Sequence, residues 1–105
     1  MGVELSEILE GMLMALQKET GKGWKKIRAV SEEFAASNRE RLQMIAKLHL
    51  EGELNEEEFT IRMEDEKLML EAQLNALKVL SKATVQKAVN AAFKVFNDAI
   101  KSILP

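Results

Sequence analysis

Apolar side chains recur every three or four residues along most of the chain, which is the spacing of one face of an α-helix. In residues 5–16 the apolar set is Leu5, Ile8, Leu9, Met12, Leu13 and Leu16. Met14 departs from this face and projects to the polar side, between Glu7 and Glu10. Because Gly21 can adopt the left-handed conformation that closes helices, we predict that the first helix ends within residues 20–23.

A second apolar stripe predicts a helix from about residue 24 to residue 50. Its members are Trp24, Ile27, Val30, Phe34, Leu42, Ile45 and Leu48. Four polar residues interrupt or border this stripe and are our candidates for a buried polar layer: Ser31, Asn38, Arg41 and His49. Buried polar groups need partners, which Glu66, Glu71 or Gln73 of the next helix can supply. We therefore expect this layer to fix the register of a bundle.

A tight reversal is predicted at residues 51–55, Glu-Gly-Glu-Leu-Asn. Asn55 and Glu58 form an Asn-x-x-Glu variant of the capping box, so a third helix should begin here. Three glutamates fill its first turn, where the positive end of the helix dipole favours carboxylates. The segment therefore predicts a helical hairpin.

The third helix is predicted to run to about Leu80 and is apolar on two faces in its second half. One face holds Leu70, Leu74 and Leu77, and the nearly opposite face holds Leu68, Ala72, Ala76 and Val79. A helix that is apolar on both sides must be covered from both sides. Ser81 or Thr84 can cap a new helix, but a single helix over residues 56–103 is the alternative.

The last segment, residues 85–104, has apolar residues over about half of its helical circumference. Its apolar members are Val85, Ala88, Val89, Ala92, Phe93, Val95, Phe96, Ala99, Ile100 and Ile103. Lys87, Lys94 and Lys101 recur at seven-residue intervals and form one basic line. A basic amphipathic helix can lie on a membrane, but the alanines of this segment favour helix packing, so we expect no membrane binding.

Composition agrees with an all-α protein. The 105 residues are 47% hydrophobic and 30% charged, with one proline and five glycines, too few for the turns of a many-stranded fold. We predict one domain over residues 1–105, an antiparallel bundle of three or four helices with its hairpin at about 51–55. Cysteine is absent, which excludes disulfides and thiolate chemistry. No membrane-length apolar run or signal pattern is visible, so we expect a cytoplasmic protein.

Charge is segregated along the chain, although its net value is only −2. Residues 51–71 hold nine acidic and two basic side chains, whereas residues 72–105 hold five lysines and one aspartate. Such blocks favour charge-matched packing within the chain or between copies of it.

The apolar surface of the last two helices exceeds what one small bundle should bury, so we expect a homo-oligomer, with a dimer favoured. The residues predicted to make this contact are Leu68, Val79, Val89, Phe93, Phe96, Ile100 and Ile103. A different protein is the other candidate partner. The function we predict is non-enzymatic association through apolar helix faces, with the acidic and basic segments selecting orientation.

His49 is the only histidine and the natural catalytic candidate, with Glu51 or Glu53 as its partner. A structural histidine bonded to a carbonyl at the helix end is favoured, because no motif surrounds it. The alternative function is a metal-binding bundle using carboxylates and histidine, with His49, Glu53 and Glu57 meeting across a symmetry axis. The Glu-x-x-His pair of di-iron bundles is missing, since Ala46 stands three residues before His49. We expect no cofactor.

A basic cluster around Trp24 raises the question of nucleic-acid binding. It comprises Lys18, Lys22, Lys25, Lys26 and Arg28. The negative net charge and the fit of Trp24 to the apolar stripe argue against that function, so no nucleic-acid partner is predicted.

Overall fold

The computed structural model describes residues 5–103, which contain five α-helices and no strand. The helices are α1 (Leu5–Thr20), α2 (Trp24–Ser37), α3 (Arg39–Leu50), α4 (Glu56–Ala76) and α5 (Lys82–Ile103). A short 3₁₀ turn, Gly21–Gly23, joins α1 to α2, and the single residue Asn38 separates α2 from α3. With α2 and α3 taken as one interrupted rod, the chain forms a bundle of four rods. The predicted all-α helical bundle is confirmed.

The interruption at Asn38 was not predicted, since the apolar stripe of residues 24–50 suggested one continuous helix. The Asn38 side chain donates from Nδ2 to the carbonyl of Phe34 at 2.9 Å, and its backbone leaves helical geometry at φ −106° and ψ 6°. Asparagine side chains compete with the backbone for such carbonyls, which weakens a helix locally.

The reversals at both ends of the α2–α3 rod follow the sequence signals. Gly21 has a φ of +53° after the end of α1, and Gly52 has a φ of +83° in the α3–α4 turn. The capping box is complete: Asn55 Oδ1 accepts from the backbone of Glu58 at 2.8 Å, and Glu58 Oε1 accepts from that of Asn55 at 3.0 Å. The predicted hairpin at 51–55 is confirmed.

Between the two alternatives for residues 56–103, the structure has two helices. α4 ends at Ala76, four residues earlier than predicted, and Lys78 follows in the left-handed region at φ +56°. Ser81 Oγ accepts from the backbone N–H of Thr84 at 3.1 Å and thereby caps α5. The serine hydroxyl therefore starts a new helix without a glycine or proline to stop the old one.

The helices close into a ring around one core, because α1 contacts α2 and α5 while α4 contacts α5, α2 and α3. The most extensive interface is that of α1 with α5. Gly11 permits this close approach, since a Cβ atom there would lie 3.0 Å from Val95 Cγ1. Short turns between sequential neighbours make them antiparallel.

The wide apolar face of α5 is buried inside its own chain. Val89, Phe93, Phe96 and Ile100 are each at most 1% exposed. We predicted these four residues as contacts with a second chain, and they are not available for one. The physical reason is that α5 touches three helices, α1, α3 and α4. Three neighbours cover a wider arc of a helix than a single neighbour does, so they bury its wide apolar face.

Candidate association surface

The outer side of α4 is the largest departure from an ordinary amphipathic pattern in the described residues. The buried side of this helix is formed by Phe59, Met63, Glu66, Leu70 and Leu74. Ile61, Leu68 and Ala72 are exposed and, at the 100° rotation of each helical residue, lie within an arc of about 40° opposite the buried side. We call these three residues the outer face of α4. Ile61 is 55% exposed and Leu68 is 60% exposed.

Three of the seven predicted contact residues remain at the surface: Leu68, Val79 and Ile103. Leu68 is the centre of the outer face, and Val79 lies three residues past the end of α4. Ile103 is at the far end of α5. The prediction missed Ile61, although its position seven residues before Leu68 is a signal that could have found it.

Charged residues are distributed unevenly along the outer face. The exposed carboxylates nearest to the outer face lie in the N-terminal half of α4: Glu57, Glu58, Glu64 and Asp65. Beyond its C-terminal end the exposed charges are the cations of Lys78 and Lys82. The exposed charges therefore change from acidic near the start of α4 to basic just after its end.

Of the four residues predicted for a polar layer, Asn38 and Arg41 come together, and Glu66 is the one of the three candidate partners that joins them. Glu66 is 3% exposed, and Arg41 Nε lies 3.0 Å from each of its carboxylate oxygens. Arg41 also donates from Nη2 to Asn38 Oδ1, so one guanidinium joins the α2–α3 junction to α4. Unlike Asn38, Arg41 is only half buried. This cluster fixes the helices relative to one another.

Ser31 was also predicted for this layer, but its hydroxyl forms no hydrogen bond with Asn38, Arg41 or Glu66. Its side chain is 1% exposed, and Oγ has no hydrogen-bond partner within residues 5–103. It borders a cavity of about 10 Å³ that is otherwise lined by apolar residues of α1, α2 and α4. A space of that size is at the lower limit for one water molecule and cannot hold a larger ligand.

His49 has a structural position in the α3–α4 hairpin. Nδ1 lies 2.9 Å from the carbonyl oxygen of Leu54, and the ring stacks on Phe59 with centroids 4.1 Å apart. Nε2 lies 3.3 Å from Glu56 Oε2, but without hydrogen-bond alignment. The carboxylate beside His49 is therefore that of Glu56, not of Glu51 or Glu53 as we predicted for a catalytic pair. Within residues 5–103, no three His, Asp or Glu side chains are grouped as a metal site requires.

Trp24 is partly buried and lines an open groove of about 380 Å³ between α1 and α2. Glu10, Arg28 and Glu32 also line this groove, and Arg28 is paired with Glu32 at 3.1 Å. The groove carries both acidic and basic side chains, so it does not favour binding of the phosphate backbone of a nucleic acid.

None of the helices in the described range is both long enough and apolar enough to cross a bilayer. No protein-family model matches the chain, and no curated protein or solved structure is significantly similar to it.

Proposed function

We propose that this protein is a non-enzymatic, self-associating helical protein whose contact surface is the outer face of α4. The observation that carries this proposal is the exposure of Ile61 and Leu68 on the side of α4 opposite the core. Exposed apolar side chains that line up along one helix are typical of interaction surfaces, whereas scattered ones need no explanation.

The expected affinity is low. Full burial of an exposed large aliphatic side chain contributes about 1.5–3 kcal/mol. Ile61 and Leu68 are 55% and 60% exposed, so each contributes about half of that from each copy in a symmetric contact. Association also costs about 4–15 kcal/mol in lost translational and rotational freedom. These opposing terms support an equilibrium between monomer and dimer that depends on protein concentration.

The charge pattern supports orientation-specific contact. The exposed carboxylates near the start of α4 and the exposed cations just after its end are opposite charges at the two ends of this helix. Complementary charges discriminate between alternative arrangements more than they add affinity.

The structural role of His49 supports a function without catalysis. Its ring is stacked on Phe59 and its Nδ1 faces a backbone carbonyl, so the side chain serves the hairpin. A general base would instead direct a ring nitrogen to a substrate site.

Analytical ultracentrifugation from low micromolar to near-millimolar concentration tests the proposal. The native chain is expected to shift from monomer to dimer, and Leu68→Glu is expected to remain monomeric because it places a carboxylate in the contact. Met14→Glu is the matched control, since Met14 is 68% exposed on α1, away from the outer face. Circular dichroism verifies that both variants are folded.

Two results contradict the proposal. One is a native chain that is monomeric at every concentration. The other is a dimer that persists in Leu68→Glu, which would place the contact elsewhere on the molecule.

A further inference from the structure

We propose that two copies pair through α4 in antiparallel orientation, about a two-fold axis that passes between Leu68 and Ala72. This inference rests on the proposed function and names the partner as a second copy of the same chain. It further specifies the direction and the register of the contact.

The charge pattern along α4 selects the antiparallel direction. In a parallel pair, Glu57, Glu58, Glu64 and Asp65 of one copy would lie beside the same four residues of the other, and like charges at such short range repel. In an antiparallel pair, the acidic half of α4 lies beside the C-terminal end of the second α4, near its Lys78 and Lys82. Complementary charges then meet at both ends of the contact.

The sizes of the side chains select the register. With the axis between Leu68 and Ala72, each Leu68 faces the Ala72 of the other copy, so that a large residue fits against a small one. Asp65 and Ala76 are exposed on the same flank of the outer face, and in this register the Asp65 of one copy lies across from the Ala76 of the other. A parallel pair in register would instead place Asp65 close to the second Asp65.

The outer side of α5 is a less suitable partner for this face. Its exposed residues are polar or charged except for Ala83 and Ile103 near its two ends. Lys94 is already paired with Asp98 at 2.7 Å, and Lys87 lies 3.8 Å from Glu19 of α1. An α4–α4 contact also uses the same patch on both copies, which closes the assembly as a dimer.

Cysteine cross-linking tests the orientation cleanly, because the native chain has no cysteine. Asp65→Cys and Ala76→Cys are prepared separately, one of them with a short tag that changes its mass, and are mixed at a concentration at which the dimer forms. A disulfide requires Cα atoms within about 7 Å of each other. In the proposed dimer the two copies of residue 65 are about 15 Å apart along the helix, and the two copies of residue 76 are about 18 Å apart, at about 1.5 Å of rise for each residue.

The mixture is therefore expected to give mostly tagged–untagged disulfide dimers, and each variant alone is expected to give almost none. Met44→Cys is the control for random collisions, since Met44 is 55% exposed on α3, away from the outer face. A second measurement uses charge: Glu57→Lys is expected to raise the dimer Kd about threefold, and Lys82→Glu in the same chain is expected to restore it.

Efficient cross-linking of Asp65→Cys with itself would show a parallel pair and overturn the inference. A protein that is dimeric and sensitive to Leu68→Glu, but gives no mixed disulfide, would overturn the inference and leave the proposed function standing. A native chain that is monomeric in the centrifuge contradicts both. The two failures are therefore distinguishable.

Discussion

Arg41 and Glu66 form an ion pair in which the acid is the buried member. The guanidinium Nε lies 3.0 Å from both oxygens of a carboxylate that is almost completely enclosed, whereas the Arg41 side chain is 49% exposed. The two residues belong to α3 and α4, so their contact joins the two halves of the hairpin. Removal of Arg41 should therefore lower the free energy of unfolding more than removal of Glu66 does.

Arg41→Ala is expected to lower the free energy of unfolding by about 2 kcal/mol, because it leaves the Glu66 carboxylate buried without its cation. Glu66→Leu is expected to cost less than about 1 kcal/mol, since Arg41 can then turn its guanidinium to water. Urea denaturation of dilute protein measures both values.

Arg28→Ala is the control for these variants, because Arg28 forms an exposed ion pair with Glu32 within a single helix. It should cost less than about 0.5 kcal/mol. Equal destabilisation by Arg41→Ala and Arg28→Ala would show that the buried position of Glu66 does not make its ion pair more important than an exposed one.

His49 stabilises the hairpin through its ring and through its hydrogen bond to Leu54. His49→Ala removes both and is expected to cost about 3 kcal/mol. His49→Phe retains an aromatic ring against Phe59 and should cost only about 1 kcal/mol. Thermal denaturation followed by circular dichroism compares the two variants, with the exposed Glu53→Ala as the unperturbed control. If His49→Phe is as damaging as His49→Ala, stacking contributes little.

Lys78 is a non-glycine residue in the left-handed region, with a φ of +56°. Lys78→Gly is expected to stabilise the fold by about 1 kcal/mol, because it relieves the contact between Cβ and the backbone in this conformation. Gly52→Ala makes the opposite change at another left-handed residue, whose φ is +83°. No atom lies close to a Cβ placed there, so only the backbone conformation opposes the substitution. The variant should lose about 1 kcal/mol of unfolding free energy. Urea midpoints at concentrations below association measure both, and a destabilised Lys78→Gly contradicts the prediction.

Ser31 carries a buried hydroxyl that has no hydrogen-bond partner in the part of the chain that the structure describes. Ser31→Ala removes an unsatisfied polar group and is expected to stabilise the protein by up to about 1 kcal/mol. Alanine also has the higher helix propensity, so the gain must be compared with that of Ser37→Ala, an exposed serine at the end of the same helix. A gain no larger than that of Ser37→Ala would mean that the Ser31 hydroxyl carries no penalty.

Much of the local structure could be predicted because its causes are local. The Asn55–Glu58 capping box, the left-handed Gly21 and the exposed Met14 all depend on residues within a few positions of one another. The pairing of Arg41 with the third predicted helix was also accessible, since a polar residue in an apolar stripe needs a partner. The choice of Glu66 over Glu71 and Gln73 depended on which of the two apolar faces of α4 turns toward the core, and the spacing of apolar residues does not decide between them.

The periodic spacing of apolar residues by itself determined that this protein is helical, where its hairpin turns and which side of each helix is apolar, because these properties follow from the 3.6-residue repeat. Only the tertiary structure decided how much of each apolar side is covered. α5 lies against three helices, which bury its Phe93 and Phe96 in the core. None of the described helices covers the outer face of α4, so Leu68 is exposed. Coverage depends on the number and placement of neighbouring helices, and these are set by contacts between residues far apart in the chain.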